Sequence, residues 1–396
     1  MKKFVFILSI SFLFFSCKDD SNPIKTEPPN PYVQTEIDWP SLKKTPWPKY
    51  RHDAQLTGRT KHSGPSLLRI SDSIAVGYDI SSIIIDIDST FFVSTTFPTN
   101  LSKWKYNSKK MWEKDFGVRK DTYNPPILTS YNFLYYITPN RIYRINNDTI
   151  VQWHYDVSES IFNFGSSIDK EGNLYVTSYT GKLYVVSPSG TLLWSLQLPY
   201  LTSFSSVFSP DGSTLYVQGA SLFAVDIATR QIKWRAGKGG IGASPMVDMH
   251  GNVYFFSSDS VNDAVKAFYC LTPRGTVRWK SEGAPFTGPG GDPTIDWDGN
   301  IYYATDTVYS YTNDGALRWK LALEPGEQNS TSLLCDGKNT IYVLTTKKNI
   351  YAVQSNGVIK WKFKVPLQSL FGHSPSIADG KMFVPTAYDQ KILIIE

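Results

Sequence analysis

The sequence contains few histidines and cysteines. Its 396 residues include only five histidines and three cysteines, and the histidines are widely separated. Zinc sites need closely spaced His or Cys ligands, and histidine-assisted nucleophilic catalysis needs a histidine beside its nucleophile. No Cys-x-x-Cys-His stretch is present, so the sequence offers no c-type haem site. We therefore predict no metal ligand and no catalytic residue.

Charge and helical patterning are also scarce. Charged residues make up 19% of the chain, and the formal net charge of +5 is too small and too scattered to indicate a nucleic-acid partner. Apolar residues rarely recur at the helical period, whereas 27 glycines and 24 prolines interrupt the chain at short intervals. Hydrophobic residues reach 41% and aromatic residues 14%, which is enough for a large core. The composition predicts a globular, all-β protein.

The N-terminus has the features of a targeting segment. Phe4–Phe15 is apolar, follows two lysines and is too short to span a bilayer, so residues 1–16 are interpreted as a signal peptide. Ser16 followed by Cys17 resembles the lipobox of bacterial lipoproteins. This resemblance implies that Cys17 is lipidated and anchors the mature protein to a membrane. The alternative is a plain secretory signal.

The residues after Cys17 bear on location. Lys18, Asp19 and Asp20 resemble the short acidic export signal of Bacteroidetes surface lipoproteins, which implies an outer-membrane lipoprotein at the cell surface. The alternative is a polar start to a linker. The following residues are rich in proline and have little periodicity, so residues 17–46 are predicted to form an extended tether.

Internal repeats determine the predicted architecture. Seven segments, such as "TVYSYTNDGALRW", end at a tryptophan, and successive tryptophans are 40 to 45 residues apart. Eight further segments, such as "DPTIDWDGNIYY", have the pattern of a hairpin, because Asp-Gly and similar pairs supply the positive φ that tight turns need. A repeat of this length with four short strands is typical of a β-propeller. The tryptophans are Trp112, Trp153, Trp194, Trp234, Trp279, Trp319 and Trp361.

The number of blades follows from the mismatch between eight hairpins and seven tryptophan segments. The last unit has no following strand and would expose an unpaired edge. The segment "GPSLLRISDS", Gly64–Ser73, is similar to the outer strands and has Ile70 where the tryptophan would be. We therefore predict an all-β, eight-bladed β-propeller over residues 47–396, with four-stranded blades and a ring closed by an N-terminal strand.

The repeats resemble those of the PQQ-like (quinoprotein-type) β-propeller superfamily. The segment "AVDIATRQIKW" is the closest copy, with Ala224, Asp226, Thr229 and Trp234 in the family's pattern. The segment "WPKYRHDAQLTGRT" resembles the lead-in of many such propellers. The resemblance implies that each repeat tryptophan docks one blade on the next. It says little about chemistry, because this fold serves many functions.

The quinoprotein dehydrogenases that resemble this fold carry adjacent cysteines over their quinone. Here Cys17, Cys270 and Cys335 are never adjacent, and the repeats place the last two in different blades, too far apart for a disulfide. Both are predicted to be small buried strand residues. We therefore expect no quinone cofactor and no enzymatic activity.

Two further motifs resemble ligand sites but fail on their sequence context. The run "GKGGIG", Gly237–Gly242, matches a dinucleotide-binding pattern but is followed by strands instead of a helix. Acidic turns such as "IDWDG" are reminiscent of calcium loops but lack the full ligand series. The glycine run is instead part of a loop that leads into an innermost strand, and hairpin turns account for the acidic motifs.

A binding surface is predicted at one end of the central channel, in the loops that lead into the innermost strands. The candidate residues combine aromatic and polar side chains, a mixture that suits protein or glycan contacts. They are Arg119, Tyr123, Phe162, Tyr200, Lys238, Phe286, Gln328 and His373. Phe164, Phe204, Ile241 and Phe371 share one repeat position, and for them packing between blades is the alternative.

These observations favour a monomeric, non-catalytic outer-membrane lipoprotein that acts as a binding or assembly scaffold. The expected partners are a protein or glycan at a propeller face and the membrane through the lipid anchor, with no nucleic acid. The alternative is an extracytoplasmic enzyme or glycan-binding module with its site at the channel mouth.

Overall fold

The computed structural model describes residues 30–96, 99–117, 124–161, 165–199, 204–238, 243–258, 267–281 and 291–396. The chain divides into two units, Met1–Pro31 and Tyr32–Glu396, and the second contains every described strand. A search of the described residues found no helix long and apolar enough to cross a membrane.

The unit Tyr32–Glu396 is an eight-bladed β-propeller, as predicted. Eight antiparallel sheets of four strands each form the ring. The strands of blades 1 to 4, with β1 first because it precedes them in the chain, are β1 (Ile70–Ala75), β2 (Ile84–Ile85), β3 (Thr90–Thr95), β4 (Asn100–Lys105), β5 (Lys110–Asp115), β6 (Ile127–Leu128), β7 (Phe133–Thr138), β8 (Arg141–Asn146), β9 (Val151–Asp156), β10 (Ser167–Ile168), β11 (Leu174–Thr177), β12 (Lys182–Val186), β13 (Leu192–Gln197), β14 (Val207–Phe208), β15 (Thr214–Gln218), β16 (Leu222–Asp226) and β17 (Gln231–Ala236).

Blades 5 to 8 continue the same order of strands. The sheet of blade 8 runs β1-β32-β31-β30, so its outer strand comes from the N-terminal side. The remaining strands are β18 (Met246–Val247), β19 (Val253–Ser257), β20 (Ala267–Leu271), β21 (Val277–Lys280), β22 (Thr294–Ile295), β23 (Ile301–Ala304), β24 (Thr307–Tyr311), β25 (Leu317–Ala322), β26 (Leu334–Cys335), β27 (Ile341–Leu344), β28 (Asn349–Val353), β29 (Ile359–Lys364), β30 (Ser376–Ala378), β31 (Lys381–Pro385) and β32 (Lys391–Ile395).

Each blade is buried at its centre and alternates at its outer edge. In blade 3 every residue of β11 is buried, because sheets of neighbouring blades cover both of its faces. The outer strand β13 instead alternates between exposed and half-buried residues. First strands of neighbouring blades contact one another, so the first strands line the central channel.

The two ends of the propeller differ in their connections. The turns after the first and third strands of each blade lie at one end, here called the turn face. The turn after the second strand and the connection to the next blade lie at the other end, here called the loop face. The described residues of the predicted binding surface, Lys238, Gln328 and His373, belong to the loop face.

An aspartate network holds several hairpins at the turn face. In blade 3, Asp169 Oδ1 accepts the backbone N–H of Asn173 at 2.8 Å, and Oδ2 accepts the Tyr175 hydroxyl at 3.1 Å. Three other blades repeat the aspartate–tyrosine bond, in the pairs Asp248–Tyr254, Asp296–Tyr302 and Asp336–Tyr342. These carboxylates accept hydrogen bonds from their own turns, and turn chemistry therefore explains the acidic motifs.

The strand β1 closes the ring, but in a different register from the one predicted. Ile70 pairs with Ile395 and Asp72 with Ile394, with a bulge between them. In blade 3 the same bulge separates Leu192 from Trp194, so Asp72 occupies the tryptophan position. The prediction that Ile70 takes that place was wrong by two residues, because a bulge shifts the register without leaving a mark in the sequence.

Four of the seven repeat tryptophans bond to the following blade. Trp153 Nε1 donates a hydrogen bond to the carbonyl oxygen of Pro188, in the outer turn of blade 3, at 2.9 Å. Gly190 in that turn has φ of +88°, and a Cβ there would lie 2.8 Å from the Trp153 ring. The same bond joins Trp234 to Pro273, Trp279 to Asn313 and Trp319 to Ser355.

The junctions at the ends of the repeat array depart from this pattern. Within the described residues, the buried Nε1 atoms of Trp112 and Trp361 have no hydrogen-bond partner. Trp361 would bond to the outer turn of blade 8, but blade 8 has no such turn, because its strands β32 and β1 come from opposite ends of the chain. Where Asp72 replaces the tryptophan, its carboxylate accepts a hydrogen bond from the Ser108 hydroxyl in the outer turn of blade 1.

Residues 32–64, here called the lead-in segment, cross the turn face and bond to every blade. Most of these bonds go to the end of a first strand, where an unpaired backbone group is available. In blade order, the bonds join Trp47 to Ile85, Pro48 to Leu128, Trp39 to Ile168, Ala54 to Phe208, Gln55 to Val247, Gln34 to Trp297, Gly58 to Cys335 and Ser63 to Gly380.

The lead-in segment corrects the predicted tether. Residues 17–29 lie outside the described residues, but from Tyr32 onward the chain belongs to the propeller unit. Trp39 and Leu42, which fall in the predicted tether, are each only 6% exposed. The segment is rich in proline and lacks periodicity because it bonds to strand ends one residue at a time and forms no sheet of its own.

Candidate functional site

Most of the residues predicted to form the binding face cannot be placed. Arg119, Tyr123, Phe162, Tyr200 and Phe286 lie outside the described residues, as do Phe164 and Ile241. The predicted lipidation and export residues, Cys17, Lys18, Asp19 and Asp20, also lie outside them.

Three predicted residues are placed on the loop face, in different blades. Lys238 is exposed and forms an antiparallel bridge with Ser258 at the edge of blade 5. Gln328 is exposed and exchanges hydrogen bonds with Thr346 in blade 7. His373, before blade 8, is half-buried, and burial lowers its pKa to about 4.

Phe204 and Phe371 are the two described residues of the repeat position that they share with Phe164 and Ile241, and they differ in burial. Phe371 is 4% exposed, belongs to a hydrophobic core cluster and bridges to Thr386. Phe204 is half-buried. Packing therefore accounts for Phe371.

The tip of the lead-in segment fills the central channel. Lys49, Tyr50 and Arg51 are at most 8% exposed. The Tyr50 hydroxyl donates to Asp292 Oδ2 at 2.6 Å, and Arg51 donates to the backbone carbonyls of Pro293 and Leu333. These acceptors precede the first strands of blades 6 and 7, so the tip reaches the loop-face end of the channel wall.

Asp292 is the centre of a buried polar cluster in the channel. Its Oδ2 accepts the Ser332 hydroxyl at 3.0 Å as well as Tyr50, and its Oδ1 accepts the backbone N–H of Ser244. Arg51 Nε lies 3.8 Å from Asp292 Oδ2, which supplies a countercharge. Burial and the nearby carboxylate raise the pKa of Tyr50 well above its ordinary value. The cluster links blades 5, 6 and 7 to the lead-in segment.

Lys49 is a buried cation without a close carboxylate bond. Its Nζ lies 3.3 Å from the carbonyl oxygens of Tyr50 and Asp53. Burial lowers the pKa of this amine to about 7, with Arg51 acting in the same direction and Asp53 opposing it. The channel tip therefore contains a group that titrates near neutral pH.

A cavity of about 700 Å³ opens on the turn face beside this tip. We call it the turn-face cavity. The two arms of the lead-in segment form its walls, and strand ends of blades 1, 5, 6 and 8 complete it. Its lining includes Thr35–Trp39, Lys43–Pro46, His52–Gln55, Arg59–His62, Asp86–Ser89, Val247, Met249, Trp297 and Asp379.

Ion pairs surround the turn-face cavity. Lys43 Nζ lies 2.6 Å from Asp86 Oδ1, and Lys44 pairs with Asp38 at 3.4 Å. Lys61 pairs with Glu36, and His62 lies 3.1 Å from Asp379. Arg59 is held by backbone carbonyls, and its guanidinium carbon lies 4.3 Å from the centre of the Trp297 ring.

Three side chains of residues that line the turn-face cavity each contain a buried nitrogen atom with no hydrogen-bond partner among the described residues. The nitrogen atoms are Gln55 Nε2, His52 Nδ1 and Trp297 Nε1. Gln55 is only 2% exposed, and His52 Nδ1 lies 3.7 Å from Asp53 Oδ2, beyond hydrogen-bonding distance. The amide nitrogen of Gln55 and the indole nitrogen of Trp297 are donors, and an unsatisfied buried donor costs about 1–3 kcal/mol.

Sequence reasoning missed this cavity, although one signal was present. The segment "WPKYRHDAQLTGRT" concentrates charged and aromatic residues ahead of the repeats, and it supplies the channel tip and one wall of the cavity. Its resemblance to a family lead-in was noted, but its burial was not predictable, because its partners lie more than 200 residues away.

The described cysteines and acidic residues form no redox or metal centre. Cys270 and Cys335 are buried and unpaired, in blades 5 and 7. Burial raises the pKa of the Cys270 thiol to about 12 and raises that of Cys335, so both stay protonated and unreactive. Within the described ranges, no group of three or more His, Cys, Asp or Glu side chains has the arrangement of a metal site.

Comparison with known proteins agrees with this fold. The matching family model is described as "Outer membrane protein assembly factor BamB" and matches residues 139–282 and 263–395. No curated protein sequence matches the chain.

Three solved structures illustrate the similarity. BamB from Moraxella catarrhalis is 14% identical, with a TM-score of 0.43 over 70% of this chain and 97% of that chain. Quinohemoprotein alcohol dehydrogenase from Comamonas testosteroni is 10% identical, with a TM-score of 0.61 over 87% and 77%. The Dos1 propeller is 12% identical, with a TM-score of 0.63 over 83% and 95%.

Proposed function

The chain belongs to the PQQ-like β-propeller family described by that model, and from this premise we propose that it is a non-catalytic scaffold that binds a protein partner. The observation that carries the proposal is the channel filled by Lys49, Tyr50 and Arg51. A channel closed by the protein's own buried side chains leaves the two end faces as the surfaces for recognition. The family's description, an outer-membrane protein assembly factor, fits such a role.

The loop face is the surface that we assign to the partner. Backbone bridges at Lys238 and Asn329 fasten two of its connections to the blades, so the face is held on a rigid support. Lys238 and Gln328 project from it as exposed side chains in different blades. A partner that contacts both would span several blades, as expected of an interface of ordinary size.

The absence of enzymatic activity is part of the proposal. The two described thiols are buried and protonated, and the channel's charged groups bond to each other or to backbone carbonyls. None of these groups is available to a substrate.

Lipid anchoring at the outer membrane is likewise proposed, on the resemblance of the residues up to Asp20. A Cys17→Ala variant should lose incorporation of a labelled fatty acid and become soluble, because lipidation of this cysteine would supply the chains that stable anchoring needs. Replacing Lys18, Asp19 and Asp20 with alanine should protect the protein from external protease in intact cells. Equal labelling or unchanged accessibility would contradict the respective proposal.

The partner itself is sought by crosslinking in intact cells, followed by purification and identification of what copurifies. We expect one or more specific proteins, and a Lys238→Glu, Gln328→Arg double variant should recover at least five-fold less of them. Lys360→Glu is the matched control, since Lys360 is exposed on the outer strand of blade 7. Recovery that is equal in the double variant and the control would contradict the loop-face assignment.

A further inference from the structure

We propose that the outer wall of blades 4 to 7 binds an anionic membrane surface through the phosphate groups of its lipids. The inference goes beyond the proposed scaffold function, because it concerns a lipid surface and a side of the propeller that belongs to neither end face. It is carried by two observations: the distribution of charge over the outer strands, and the place where the propeller unit begins.

The basic residues of the outer strands are gathered in one half of the ring. The outer strands of blades 4 to 7 contain nine basic residues and no acidic residue. Those of blades 8, 1, 2 and 3 contain two basic and four acidic residues. The small net charge of the chain therefore conceals a strongly basic half ring. Its nine residues, here called the basic band, are Lys233, Arg235, Arg278, Lys280, Arg318, Lys320, Lys360, Lys362 and Lys364.

The repeat places the basic band at equivalent positions of neighbouring blades. Side chains alternate along a strand, so the residue after each tryptophan points away from the side on which the tryptophan packs. In blade 4, Arg235 is exposed whereas Trp234 is half-buried. This position is basic in all four blades of the band, at Arg235, Lys280, Lys320 and Lys362, and in none of the other four, where it holds Ser73, Glu113, His154 and Ser195.

Carboxylates of the protein compensate only part of this charge. The exposed side chains of Arg235, Lys320 and Lys360 form no ion pair with a carboxylate of the described residues. Exposed ion pairs contribute little to stability, so a lipid phosphate can also replace the carboxylate of a paired member at small cost. The paired members are Lys233 with Asp226 at 3.1 Å, Arg278 with Asp314 at 3.1 Å, and Lys362 with Glu324.

Exposed apolar side chains accompany the basic band where its outer strands begin. Val277, Leu317 and Val358, in blades 5, 6 and 7, are 58%, 52% and 55% exposed. At a membrane, basic residues bind the lipid phosphates while apolar side chains beside them enter the headgroup region. A soluble polyanion offers the charge but no apolar region. The combination favours a membrane surface over a nucleic acid or an acidic polysaccharide.

The propeller unit begins beside the basic band. The hydroxyl of Tyr32, the first residue of the unit, donates a 2.6 Å hydrogen bond to Asp314 Oδ1 in the outer turn of blade 6. Arg278 of the band donates to the same oxygen at 3.1 Å. The chain that leads back to Cys17 therefore joins the propeller next to the band. This step rests on the lipid anchor proposed above, for which a basic surface supplies the second signal that stable attachment needs.

The test is sedimentation of the full chain with lipid vesicles. The chain carries Cys17→Ala so that no acyl chain contributes, and vesicles of phosphatidylcholine alone measure any contribution of the apolar run Phe4–Phe15. We expect at least ten-fold tighter binding to vesicles of phosphatidylcholine and phosphatidylglycerol in equal parts, and loss of this preference at about 0.5 M salt. Equal binding to the two kinds of vesicle would overturn the proposal. Tighter binding of heparin or duplex DNA than of anionic vesicles, at equal charge, would also overturn it.

Charge reversal then locates the site. Arg235→Glu with Lys320→Glu should weaken binding to the anionic vesicles at least ten-fold. The matched control is Lys105→Glu with Lys109→Glu, which changes the net charge equally at two exposed lysines of blade 1 and should change affinity less than two-fold. Melting temperatures show whether each variant is folded, and the corresponding glutamine variants replace any that is not. Full affinity in a folded band variant, or an equal loss in the control, would overturn the assignment.

A fluorescent label provides a second measurement of location. Cys270 and Cys335 are buried, so a cysteine introduced at Leu317 or at Met111 in the Cys17→Ala chain can be labelled selectively. An environment-sensitive dye at position 317 should shift to shorter wavelength on anionic vesicles. The same dye at position 111, on the outer strand of blade 1, should not. Equal shifts, or a shift at position 111 alone, would contradict the proposed contact.

The result is separable from the proposed function. Partner recovery by crosslinking depends on the loop face, so the band variants should recover the partner as the unaltered chain does, and Lys360→Glu remains a valid control there. The vesicle assay uses an unlipidated chain, so failure of fatty-acid labelling would contradict the anchor without changing the vesicle result. Weak vesicle binding together with normal labelling and normal partner recovery would overturn the band alone.

Discussion

The hydroxyl of Tyr50 donates a 2.6 Å hydrogen bond to Asp292, a residue 242 positions later in the chain. This contact fastens the lead-in segment to the wall of the channel, between the first strands of blades 5, 6 and 7. It shows that the residues ahead of the repeats are part of the propeller's interior. Three of the predictions below concern this arrangement and the contacts that support it.

Removing the Tyr50 hydroxyl should cost a moderate amount of stability. In Tyr50→Phe, Asp292 keeps the Ser332 and Ser244 bonds and the nearby Arg51 charge, so we expect unfolding to become easier by about 1–2 kcal/mol. Urea denaturation measures the change. Tyr388→Phe is the control, because Tyr388 is 71% exposed and should change stability by less than about 0.5 kcal/mol. Equal effects of the two substitutions would contradict the structural role of the bond.

Truncation should show whether residues 32–48 are a tether or a part of the folded propeller. A chain that begins at Tyr32 should melt as the full chain does. A chain that begins at Lys49 loses Trp39, Leu42 and Trp47, which are at most 6% exposed, and each such side chain contributes about 1.5–3 kcal/mol when buried. We expect the shorter chain to melt far lower or to aggregate. Identical thermal melting of the two chains would mean that residues 32–48 are a tether after all.

The buried lysine should make stability rise with pH above neutrality. The pKa of Lys49 is lowered to about 7 in the folded protein from an ordinary value of 10.5, so between these values the unfolded chain binds more protons than the folded one. Stability should therefore increase from about pH 7 to about pH 10.5, with a contribution approaching 1.4 kcal/mol per pH unit from this group.

Lys49→Met tests that contribution, because it removes the titrating amine while keeping a long apolar side chain. Denaturation curves measured across this pH range should show a smaller slope in the variant than in the unaltered chain. Lys360→Met, at an exposed position, should leave the slope as it is. Parallel pH profiles for Lys49→Met and the unaltered chain would refute the prediction.

The contact between Gly190 and Trp153 should be sensitive to a single methyl group. Gly190→Ala places a Cβ about 2.8 Å from the indole ring, in addition to the strain of φ at +88°. Gly380→Ala is a matched control, since Gly380 has φ of +77° and no atom within 4 Å of the added Cβ. We expect Gly190→Ala to cost about 1–3 kcal/mol more than the control in chemical denaturation. A difference near zero would show that the tryptophan does not pack tightly on the next blade.

Incubation with pyrroloquinoline quinone and calcium should produce no holoenzyme. The adjacent cysteine pair implied for quinoprotein dehydrogenases is missing, and the side chains of Tyr50 and Arg51 occupy the channel. We expect no bound quinone absorbance after gel filtration and no dye-linked oxidation of alcohols or sugars. A quinoprotein dehydrogenase reconstituted in parallel serves as the positive control. Stoichiometric quinone with turnover would refute the non-catalytic proposal.

The blades could be predicted from the sequence because their determinants are local. Gly190 and its counterparts mark tight turns, and Trp153 and its counterparts recur at nearly constant spacing, so each unit of four strands can be recognised from its own residues. The closing strand was predicted because the last blade would otherwise expose an unpaired sheet edge. Only its register was wrong, because the bulge between Ile70 and Asp72 depends on pairing with β32 at the far end of the chain.

The burial of the lead-in segment could not be predicted in this way. Its proline-rich, aperiodic composition is typical of a tether, and the same composition suits a chain that bonds singly to each of the eight blades. Whether Lys49 and Arg51 are solvated or buried is decided by carbonyl groups and by Asp292, which only the closed ring brings together.

The eight four-stranded blades and their turns follow from the sequence alone, since they reflect short-range backbone preferences repeated along the chain, and the N-terminal closure follows from the unpaired edge that the last blade would otherwise expose. Only the tertiary structure decided that the lead-in segment fills the channel, that Asp72 takes the place of a tryptophan, and that Gln55, His52 and Trp297 border one cavity. These features depend on contacts between distant residues, whose free energies exist only once the ring has closed.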